Sequence, residues 1–369
     1  MTINATRRDV IKGAGALAVS FDLVADAARA ADAPGQKLPG DLATSPKVSS
    51  WLRVEAGGKI RLLVGKVELG QGVLTAVAQL CADELDVDLA RVAITSGDTR
   101  LVPDEGVTAG SFSMPNCGSA VRQVSAEARQ ILLGLAAKQL GVAPDALTVA
   151  DGTVKAPDGK STTYWDIVAN DAFEVQATGA APLKPRDARR YAGRHVPRLD
   201  IPFKVTGTNI FIQDFRPEGM LHGRVLRPPA YDAKLVSLDT TSVEKTAGVV
   251  KVVRDGSFVG VIAEREENAI KARQALTLAA RWSGGSEMPD PERLFDYLTA
   301  LPSVVKVVNE KKGAAATNAR AIEAVYTKPY GEHGSIGPSC ALAEFKDSKM
   351  TVWSHTQGVF PLRLDLSKA

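Results

Sequence analysis

The sequence predicts an α+β protein, and three observations lead to that prediction. Strand-like runs at Ile60–Val64 and Val92–Thr95 enclose Val73–Leu85, whose apolar residues recur with the period of a helix. A longer helical period covers Ser119–Leu140. Between Val205 and Trp282, short strand-like runs precede a single helical segment. Short strands mixed with a few helices, without regular alternation of the two, are typical of an α+β fold.

Turn residues place two hairpins and two helix ends. Gly57-Gly58 and Asp151-Gly152 each separate two short strand-like runs, as hairpin turns do. Gly141 is placed to end the long helix, and Thr163 is placed to cap a short helix through Val168. The other predicted elements are strands at Asn209–Ile212, Leu221–Leu226, Ala233–Leu238, Val249–Val253, Phe258–Ala263, Ala321–Tyr326, Ser339–Phe345 and Met350–His355, a helix at Asn268–Ala280, and a helix start at Asp365–Ala369.

Composition narrows the class of protein. The chain has 369 residues, of which 45% are hydrophobic and 24% charged, as in soluble globular proteins of two or three domains. The net charge is +3 and no long basic tract occurs, so nucleic-acid binding has no support. The three cysteines, Cys81, Cys117 and Cys340, form no CxxC pair, which excludes an iron–sulfur cluster or covalent haem built from this chain. Cys81 falls in a helical segment and is predicted to be a core residue.

The first 49 residues are predicted to form an export signal and a linker. Arg7 and Arg8 precede a mild apolar run at Gly13–Val24, and Ala28-Arg29-Ala30 has the form of a cleavage site. These are the parts of a twin-arginine signal, here 1–30, and they predict a periplasmic protein. The alternative is a short N-terminal helix. Residues 31–49 are rich in Pro, Gly and Ser, which favours a linker.

Two polar clusters are candidates for a binding site. Gly70-Gln71-Gly72 stands between a strand and a helix, where unpaired backbone N–H groups and the helix dipole suit a phosphate. Ser111 and Ser113 lie two residues apart and would face one way if their loop is extended. The alternative interpretation is a tight strand-to-helix connection followed by a surface loop.

These motifs resemble the molybdenum-cofactor-binding region of the xanthine dehydrogenase/aldehyde oxidase family. The matching segments are Gly70-Gln71-Gly72, Ile94 to Asp98-Thr99, Ala109 to Ser113, and the T-Q turn at Ser354–Gly358. Residues 205–282 resemble the family's hammerhead domain, in which His222, Arg224 and Arg227 would be structural. The order of the segments resembles a permuted large subunit of the isoquinoline 1-oxidoreductase and nicotinate dehydrogenase type. Gly337 stands where the family usually has a glutamate, which weakens a carboxylate role there.

The resemblance implies a domain order and a set of cofactor residues. The domains would be 50–181, a piece of a molybdopterin-binding domain; 182–202, a linker; 203–285, the hammerhead domain; and 286–369, the incomplete start of a second molybdopterin-binding domain. The residues implied to bind the cofactor are Gly70, Gln71, Gly72, Ser111, Ser113, Gln357 and Gly358, with Gln357 next to an oxygen ligand of molybdenum. His195, inside the second linker, is predicted to be a solvated loop residue.

The implied activity belongs to an assembly larger than this chain. The family hydroxylates an aldehyde or a carbon beside a ring nitrogen, using a molybdenum–pterin cofactor in a dinucleotide form. The catalytic glutamate is expected downstream, so no catalytic residue is expected here and the chain alone is predicted to be inactive. We expect the N-terminal half of a large subunit, as a split subunit, a truncation or a gene fragment. The implied partners are the missing half, a small [2Fe–2S] subunit and a c-type cytochrome.

Two other classes of function compete with this interpretation. The first is a non-catalytic scaffold, assembly or binding protein of the same fold, which Gly337 and the missing base favour. The second is an unrelated periplasmic β-rich binding module, which requires three motif matches to be coincidental.

Overall fold

The structure is a computed structural model that describes residues 37–167, 173–208, 211–310, 313, 320, 322–331, 334–335 and 337–369. The predicted signal with Arg7 and Arg8 lies outside these residues, as does His333. The chain divides into two compact units, one of residues up to 213 together with 340–369, and one of residues 214–339. Within the described ranges, every helix is too short or too polar to cross a bilayer.

The first unit contains a β-hairpin, two long helices, a small three-stranded sheet and a C-terminal hairpin. Its strands are β1 (Leu52–Glu55), β2 (Lys59–Val64), β3 (Val92–Ser96), β4 (Thr148–Ala150), β5 (Thr153–Lys155), β6 (Ser161–Thr163), and, near the C-terminus, β12 (Ala341–Lys346) and β13 (Lys349–Ser354). Its helices are α1 (Val73–Leu85), α2 (Ser119–Leu140), α3 (Tyr164–Ile167), α4 (Ile201–Val205) and, at the C-terminus, α8 (Val359–Lys368). Shorter 3-10 helices cover Gly40–Ala43, Val48–Ser50, Leu89–Arg91, Pro144–Ala146 and Arg186–Ala188, and a π-helix covers Ser113–Gly118.

A single core connects the first sheet to α1 and α2. The strand β1 pairs antiparallel with β2, and β3 pairs parallel with β2 on its other side. Apolar residues of both helices are fully buried with the sheet, among them Val77 and Cys81 on α1 and Val121 on α2. Trp51 is also fully buried, and its indole N–H donates to the Ser45 carbonyl at 2.7 Å. The prediction of a core position for Cys81 is confirmed.

Local sequence patterns predicted most elements of this unit correctly. Both predicted hairpins are present, and α1 and α2 have the predicted bounds. The Thr163 hydroxyl accepts the Asp166 N–H at 3.2 Å and so caps α3, as predicted. The strand β6 was not predicted, because three polar residues carry no alternation that would distinguish them from a loop. The C-terminal helix begins at Val359, earlier than the predicted start at Asp365.

The second unit is a small α+β structure with its own core. Its strands are β7 (His222–Leu226), β8 (Lys234–Leu238), β9 (Val249–Asp255), β10 (Phe258–Ala263) and β11 (Ala280–Ser283), and its helices are α5 (Thr241–Glu244), α6 (Glu266–Ala279) and α7 (Leu294–Ala300). The central strand β10 pairs antiparallel with β7 and β9, and β8 pairs with β11. Val259, Val261 and Leu276 are fully buried between this sheet and α6.

Two predicted strands are not observed. Ile212, the end of a predicted strand, begins a 3-10 helix at Ile212–Asp214, and residues 209 and 210 lie outside the described ranges. Residues 322–326 form no strand, and Val325 and Tyr326 are more than nine-tenths exposed. Alternating apolar residues form a strand only where a partner edge and a covered face exist, and these residues have neither among the described part of the chain.

The segment after residue 37 is packed rather than extended as the linker predicted for 31–49. Leu42 and Val48 are fully buried in the core of the first unit. Gly40 lies so close to the π-helix that a Cβ atom there would be 2.1 Å from the Asn116 carbonyl oxygen. Composition alone did not reveal this packing, because few apolar residues anchor the segment: Leu42 and Val48 fully buried, and Leu38 packed against the same core.

Residues 178–200, which we call the strap, are also packed, so the linker predicted for 182–202 is wrong. Three buried carboxylates of α1 and α2 accept backbone N–H groups of the strap: Asp83 binds residues 190–192, Glu84 binds Lys184 and Glu127 binds Ala181. The Leu199 N–H also donates to the Thr75 hydroxyl at 3.0 Å. The polar, basic strap is therefore anchored through its backbone as well as through side chains such as Arg198.

Two glycines of α2 provide a matched test of local backbone conformation. Gly141 ends α2 with φ of +71°, whereas Gly134 lies inside the helix, and a Cβ at either position would meet no atom within 4 Å. We expect Gly141→Ala to lower the free energy of unfolding by about 1 kcal/mol, because an L-residue resists positive φ. Gly134→Ala is expected to raise it by roughly 0.5–1 kcal/mol. Urea unfolding measures the free energy of unfolding of both variants. Changes of the same sign in the two variants would contradict the assignment of Gly141 as the left-handed cap of α2.

Candidate functional site

In the glycine turn before α1, the N–H groups of both glycines are already paired. Gly70 and Gly72 have φ of +102° and +78°, and Gly72 is the N-cap residue of α1. The Glu68 carboxylate accepts the N–H of Gly70 at 2.9 Å and that of Gly72 at 2.8 Å, and reaches the Leu74 N–H at 3.4 Å. For Gly70 and Gly72 the prediction of unpaired N–H groups is therefore wrong: a carboxylate of the chain itself occupies the place that suits an anion.

Side chains on both sides hold this turn in its shape. The Gln71 side chain accepts the Leu69 N–H at 2.5 Å and donates to the Val67 carbonyl at 3.1 Å. Arg198, from the strap, donates to the Gly70 carbonyl at 2.5 Å and lies 3.5 Å from Glu68. A Cβ at Gly70 would meet no atom within 4 Å, so the surface beside the turn is open to a ligand.

The two serines lie on a bent loop. Ser111 has φ of +60°, the Phe112 N–H donates to the Ala109 carbonyl at 3.1 Å, and Ser113 begins the π-helix. The condition that the loop is extended is not met, so the two hydroxyls are not aligned as they would be on a strand. Ser111 is exposed and Ser113 half-buried, and neither hydroxyl is hydrogen-bonded to a described residue. Both hydroxyls are thus available to a ligand.

Thr108 joins the glycine turn to the turn at Gln357. Its N–H donates to the Gln357 carbonyl at 2.7 Å, and its own carbonyl accepts from the Gln357 side-chain amide at 2.9 Å. The Thr108 hydroxyl accepts the Val67 N–H at 3.0 Å. The structure therefore brings three segments together that are up to 290 positions apart in the sequence.

Gly358 allows the close approach of this last turn. It is buried, and a Cβ there would lie 3.2 Å from a methyl carbon of Val107 and 3.3 Å from Pro361. The Gly358 N–H donates to the Thr356 hydroxyl at 3.1 Å, immediately before α8 begins. Gly70, Gln71, Gly72, Gln357 and Gly358 thus belong to one surface with the loop that carries Ser111 and Ser113.

A groove of about 750 Å³ lies beside this surface, between the end of β3 and the C-terminal hairpin and helix. Asp98, Arg100, Thr356 and Arg363 are among the residues that line it, but none of the predicted cofactor residues does. In the part of the chain that the structure describes, no three His, Cys, Asp or Glu side chains converge to hold a metal ion.

Comparison with known proteins identifies the family. Residues 4–208, more than half of the chain, match the molybdopterin cofactor-binding domain family. The chain belongs to the xanthine dehydrogenase family, and to its large-subunit type. The resemblance seen in the glycine turn, the serine loop and the T-Q turn is thereby confirmed at the level of the family.

The relatives are much longer than this chain. A nicotinate dehydrogenase subunit from Pseudomonas putida is 36% identical over 87% of this chain, which covers 28% of that protein. The beta subunit of isoquinoline 1-oxidoreductase from Brevundimonas diminuta is 26% identical over 89% of this chain and 47% of its own length. A crystal structure of a Cu,Mo-CO dehydrogenase matches 31% of this chain and 15% of that chain, with 26% identity and a TM-score of 0.29.

The residues present match the hydrogen-bonding groups of the family's cofactor. A pterin offers several hydrogen-bond donors and acceptors, and the hydroxyls of Ser111 and Ser113 can serve as either. The open space beside Gly70 gives such a ligand access to the backbone of the turn. The N–H groups of Gly70 and Gly72 remain committed to Glu68, so they do not contribute to a phosphate site in this arrangement.

Sequence reasoning missed a buried polar cluster under this surface, formed by Asp41, Lys66, Glu105 and Cys117. Glu105 and Lys66 are 5% and 2% exposed. One Glu105 oxygen accepts the N–H groups of Gly65 at 2.5 Å and Lys66 at 3.2 Å. Burial, together with hydrogen bonding to Asp41, raises the pKa of Glu105 to about 7, although hydrogen bonds from the Cys117 thiol and the Gly65 N–H act in the opposite direction. The only sequence signal was two acidic residues, Asp104 and Glu105, directly before a glycine.

The raised pKa of Glu105 predicts a stability that falls as the pH rises. The folded state binds this proton more tightly than the unfolded state, so the contribution is complete below about pH 4.5 and is lost as the pH passes about 7. We expect the free energy of unfolding to decrease by about 2–3 kcal/mol between pH 5 and pH 8. The pKa values of Asp98, Asp151 and Asp200 are lowered by their cationic partners, so their titration lies below this window.

Urea unfolding at pH 5, 6, 7 and 8 measures this decrease, and Glu105→Gln serves as the control because it removes the titrating group. A profile that is flat or rises in the unmodified chain, or a decrease that Glu105→Gln leaves unchanged, would contradict the prediction.

Proposed function

We propose that this chain is part of the molybdenum-cofactor-binding large subunit of an oxidoreductase that hydroxylates an aldehyde or an N-heteroaromatic carbon with water. We propose further that it is exported by the twin-arginine route and passes electrons to a [2Fe–2S] partner subunit, with a c-type cytochrome as a further partner. The observation that carries this proposal is the joining of the glycine turn, the serine loop and the Gln357 turn through Thr108. The Arg7-Arg8 pattern supports the export route.

Each part of the surface has a separate task in holding the cofactor. The turn Gly70-Gln71-Gly72 leaves open space at Gly70, Ser111 and Ser113 present hydroxyls, and the turn at Gln357 and Gly358 is held next to the serine loop through Thr108. When bound, the molybdenum–pterin cofactor, in a dinucleotide form, supplies the redox chemistry of the hydroxylation. The residues of this chain bind and orient it.

We expect the Gln357 side chain to gain one hydrogen bond when the cofactor binds. The Gln357 side-chain amide now donates to the Thr108 carbonyl. An amide has two N–H groups, so the second can reach a cofactor oxygen while the first keeps the contact with Thr108. Gln357 can therefore bind the ligand without opening the junction.

The metal and pterin content of the purified chain tests the proposal. The chain is produced in cells that synthesise the cofactor, once alone and once together with the DNA that follows its gene. We expect molybdenum and pterin in a complex with a second polypeptide, measured by mass spectrometry of the metal and fluorescence of the oxidised pterin. The absence of both from each preparation would overturn the proposal.

A second candidate function is a scaffold of the same fold without the cofactor. The observation that favours it is the occupation of the Gly70 and Gly72 N–H groups by Glu68. Gly337 in place of the family's glutamate points the same way. A stable complex with a partner polypeptide that contains neither molybdenum nor pterin would decide for this candidate.

A further inference from the structure

Two carboxyl groups of the buried cluster, those of Asp41 and Glu105, lie next to each other, and the Cys117 thiol lies beside Glu105. Asp41 Oδ2 and Glu105 Oε1 are both buried, and neither receives a hydrogen bond from the protein. The two side chains are nevertheless within hydrogen-bonding distance of each other. Two ionised carboxylates repel at such a distance and cannot bond, whereas one proton between them satisfies both orphaned oxygens.

The charge count of the cluster leads to the same result. Lys66 is its only ammonium group, 3.6 Å from Asp41 Oδ2, and its other contacts are the carbonyls of Glu105 and, at 3.2 Å, Val107. Burial raises the pKa of the Cys117 thiol well above its usual value, so Cys117 is neutral. One ammonium balances one carboxylate, and the second carboxyl must carry a proton to avoid an unpaired buried charge.

The pair lies where it can hold the candidate site in place. Asp41 comes from the 3-10 helix at Gly40–Ala43, and Glu105 from the loop that reaches Thr108 three residues later. The second Glu105 oxygen binds the backbone at Gly65 and Lys66, immediately before the glycine turn. Three segments therefore meet at the pair, and two of them continue into the surface that would bind the cofactor.

We propose that Asp41 and Glu105 share one proton, and that this carboxyl pair positions the loop from residue 105 to residue 113 against the glycine turn. Loss of the proton leaves two buried like charges and loosens the loop, so the shape of the surface depends on protonation. The inference of a shared proton follows from the geometry of the cluster alone. Its consequence for cofactor binding rests on the proposed function.

Infrared spectroscopy and hydrogen exchange of the purified full chain test this inference without any cofactor. The difference spectrum between pH 6 and pH 9 should contain the carbonyl stretch of a buried protonated carboxyl. Asp41→Asn and Glu105→Gln should each lack it, because the amide N–H of the new side chain donates a hydrogen bond to the remaining carboxylate, which then stays ionised at both pH values. Asp104→Asn, an exposed neighbour whose carboxylate accepts the Gly106 N–H, should keep the band.

Hydrogen exchange, corrected for intrinsic rates, reports the position of the loop. We expect protection of residues 105–113 to fall about tenfold between pH 6 and pH 8.5 in the unmodified chain and in Asp104→Asn, a change worth about 1.4 kcal/mol. Either amide variant should remove this pH dependence, so the test requires only that one of the two variants folds. A missing carboxyl band, or a pH dependence that persists in both amide variants, would overturn the inference.

The outcomes distinguish this inference from the proposed function. A carboxyl band and a pH-dependent loop in a chain that never binds molybdenum would support the shared proton and overturn the cofactor-binding role. A chain that binds molybdenum but lacks the band would support the proposed function and overturn the shared proton.

Discussion

Replacement of Asp83 by alanine is expected to lower the free energy of unfolding of the first unit by about 3–5 kcal/mol. The Asp83 side chain is 3% exposed and accepts three consecutive backbone N–H groups of the strap, at 2.8, 2.9 and 2.8 Å. Alanine would leave all three without their charged acceptor and would detach the strap from α1. Asp83→Asn is expected to cost less, because one amide oxygen can still accept.

Urea unfolding followed by circular dichroism measures this loss. The control is Asp187→Ala, which also removes a carboxylate from this region but lies exposed on the strap itself. We expect that variant to unfold at the same urea concentration as the unmodified chain. Equal effects of Asp83→Ala and Asp187→Ala would show that the strap is not anchored by the buried carboxylate.

Replacement of Glu68 by alanine is expected to lower the free energy of unfolding by about 2 kcal/mol and to loosen the glycine turn. The Glu68 carboxylate caps α1 through Gly72 and supports Gly70, and its side chain is only 14% exposed. Arg198 would keep its ion pair with Asp200 at 2.6 Å, so the loss would come mainly from the turn.

Hydrogen exchange of residues 69–74 separates this local effect from global unfolding. Glu68→Gln, which retains an oxygen acceptor of similar reach, should lose less protection than Glu68→Ala. Glu174→Ala is the control, because that exposed carboxylate pairs with Lys47 at the surface. Unchanged protection of the turn in Glu68→Ala would show that Glu68 does not cap α1.

The two predicted effects differ in their consequences for the site. The strap provides Arg198, which binds the Gly70 carbonyl, so detachment of the strap also affects the glycine turn. Glu68 acts on the turn directly. Molybdenum content should therefore fall in both variants if the proposed function is correct, whereas Asp187→Ala should leave it unchanged.

Elements with a strong local pattern were predictable from the sequence. The bounds of α1 and α2 follow from helical periodicity and from Gly141, and the two hairpins follow from Gly57-Gly58 and Asp151-Gly152. The family also followed from short motifs. The strand predicted for Ala321–Tyr326 is not formed by the described residues 322–326, and residues 37–49 and 182–202 pack where linkers were predicted, because whether such segments pack depends on partners distant in the sequence.

The arrangement of the candidate site depended on contacts that no local pattern encodes. The sequence placed Gln357 and Gly70-Gln71-Gly72 among the candidates, but the junction at Thr108 joins residues separated by 249 positions. The sequence predicted free N–H groups at the glycine turn, whereas Glu68, two residues away, binds them. A motif identifies which groups are present, and only the folded backbone shows which of them are already paired.

The amino-acid order alone was sufficient for the α+β class, the main helices and the family, because periodicity, turn residues and motifs are local properties of the chain. Only the folded structure showed that the strap packs, that Glu68 caps the glycine turn, and that Asp41 and Glu105 come together in the interior. The physical reason is burial: a carboxylate in a sequence is an ordinary charged residue, and it acquires an anchoring or proton-sharing role only when the fold removes it from water.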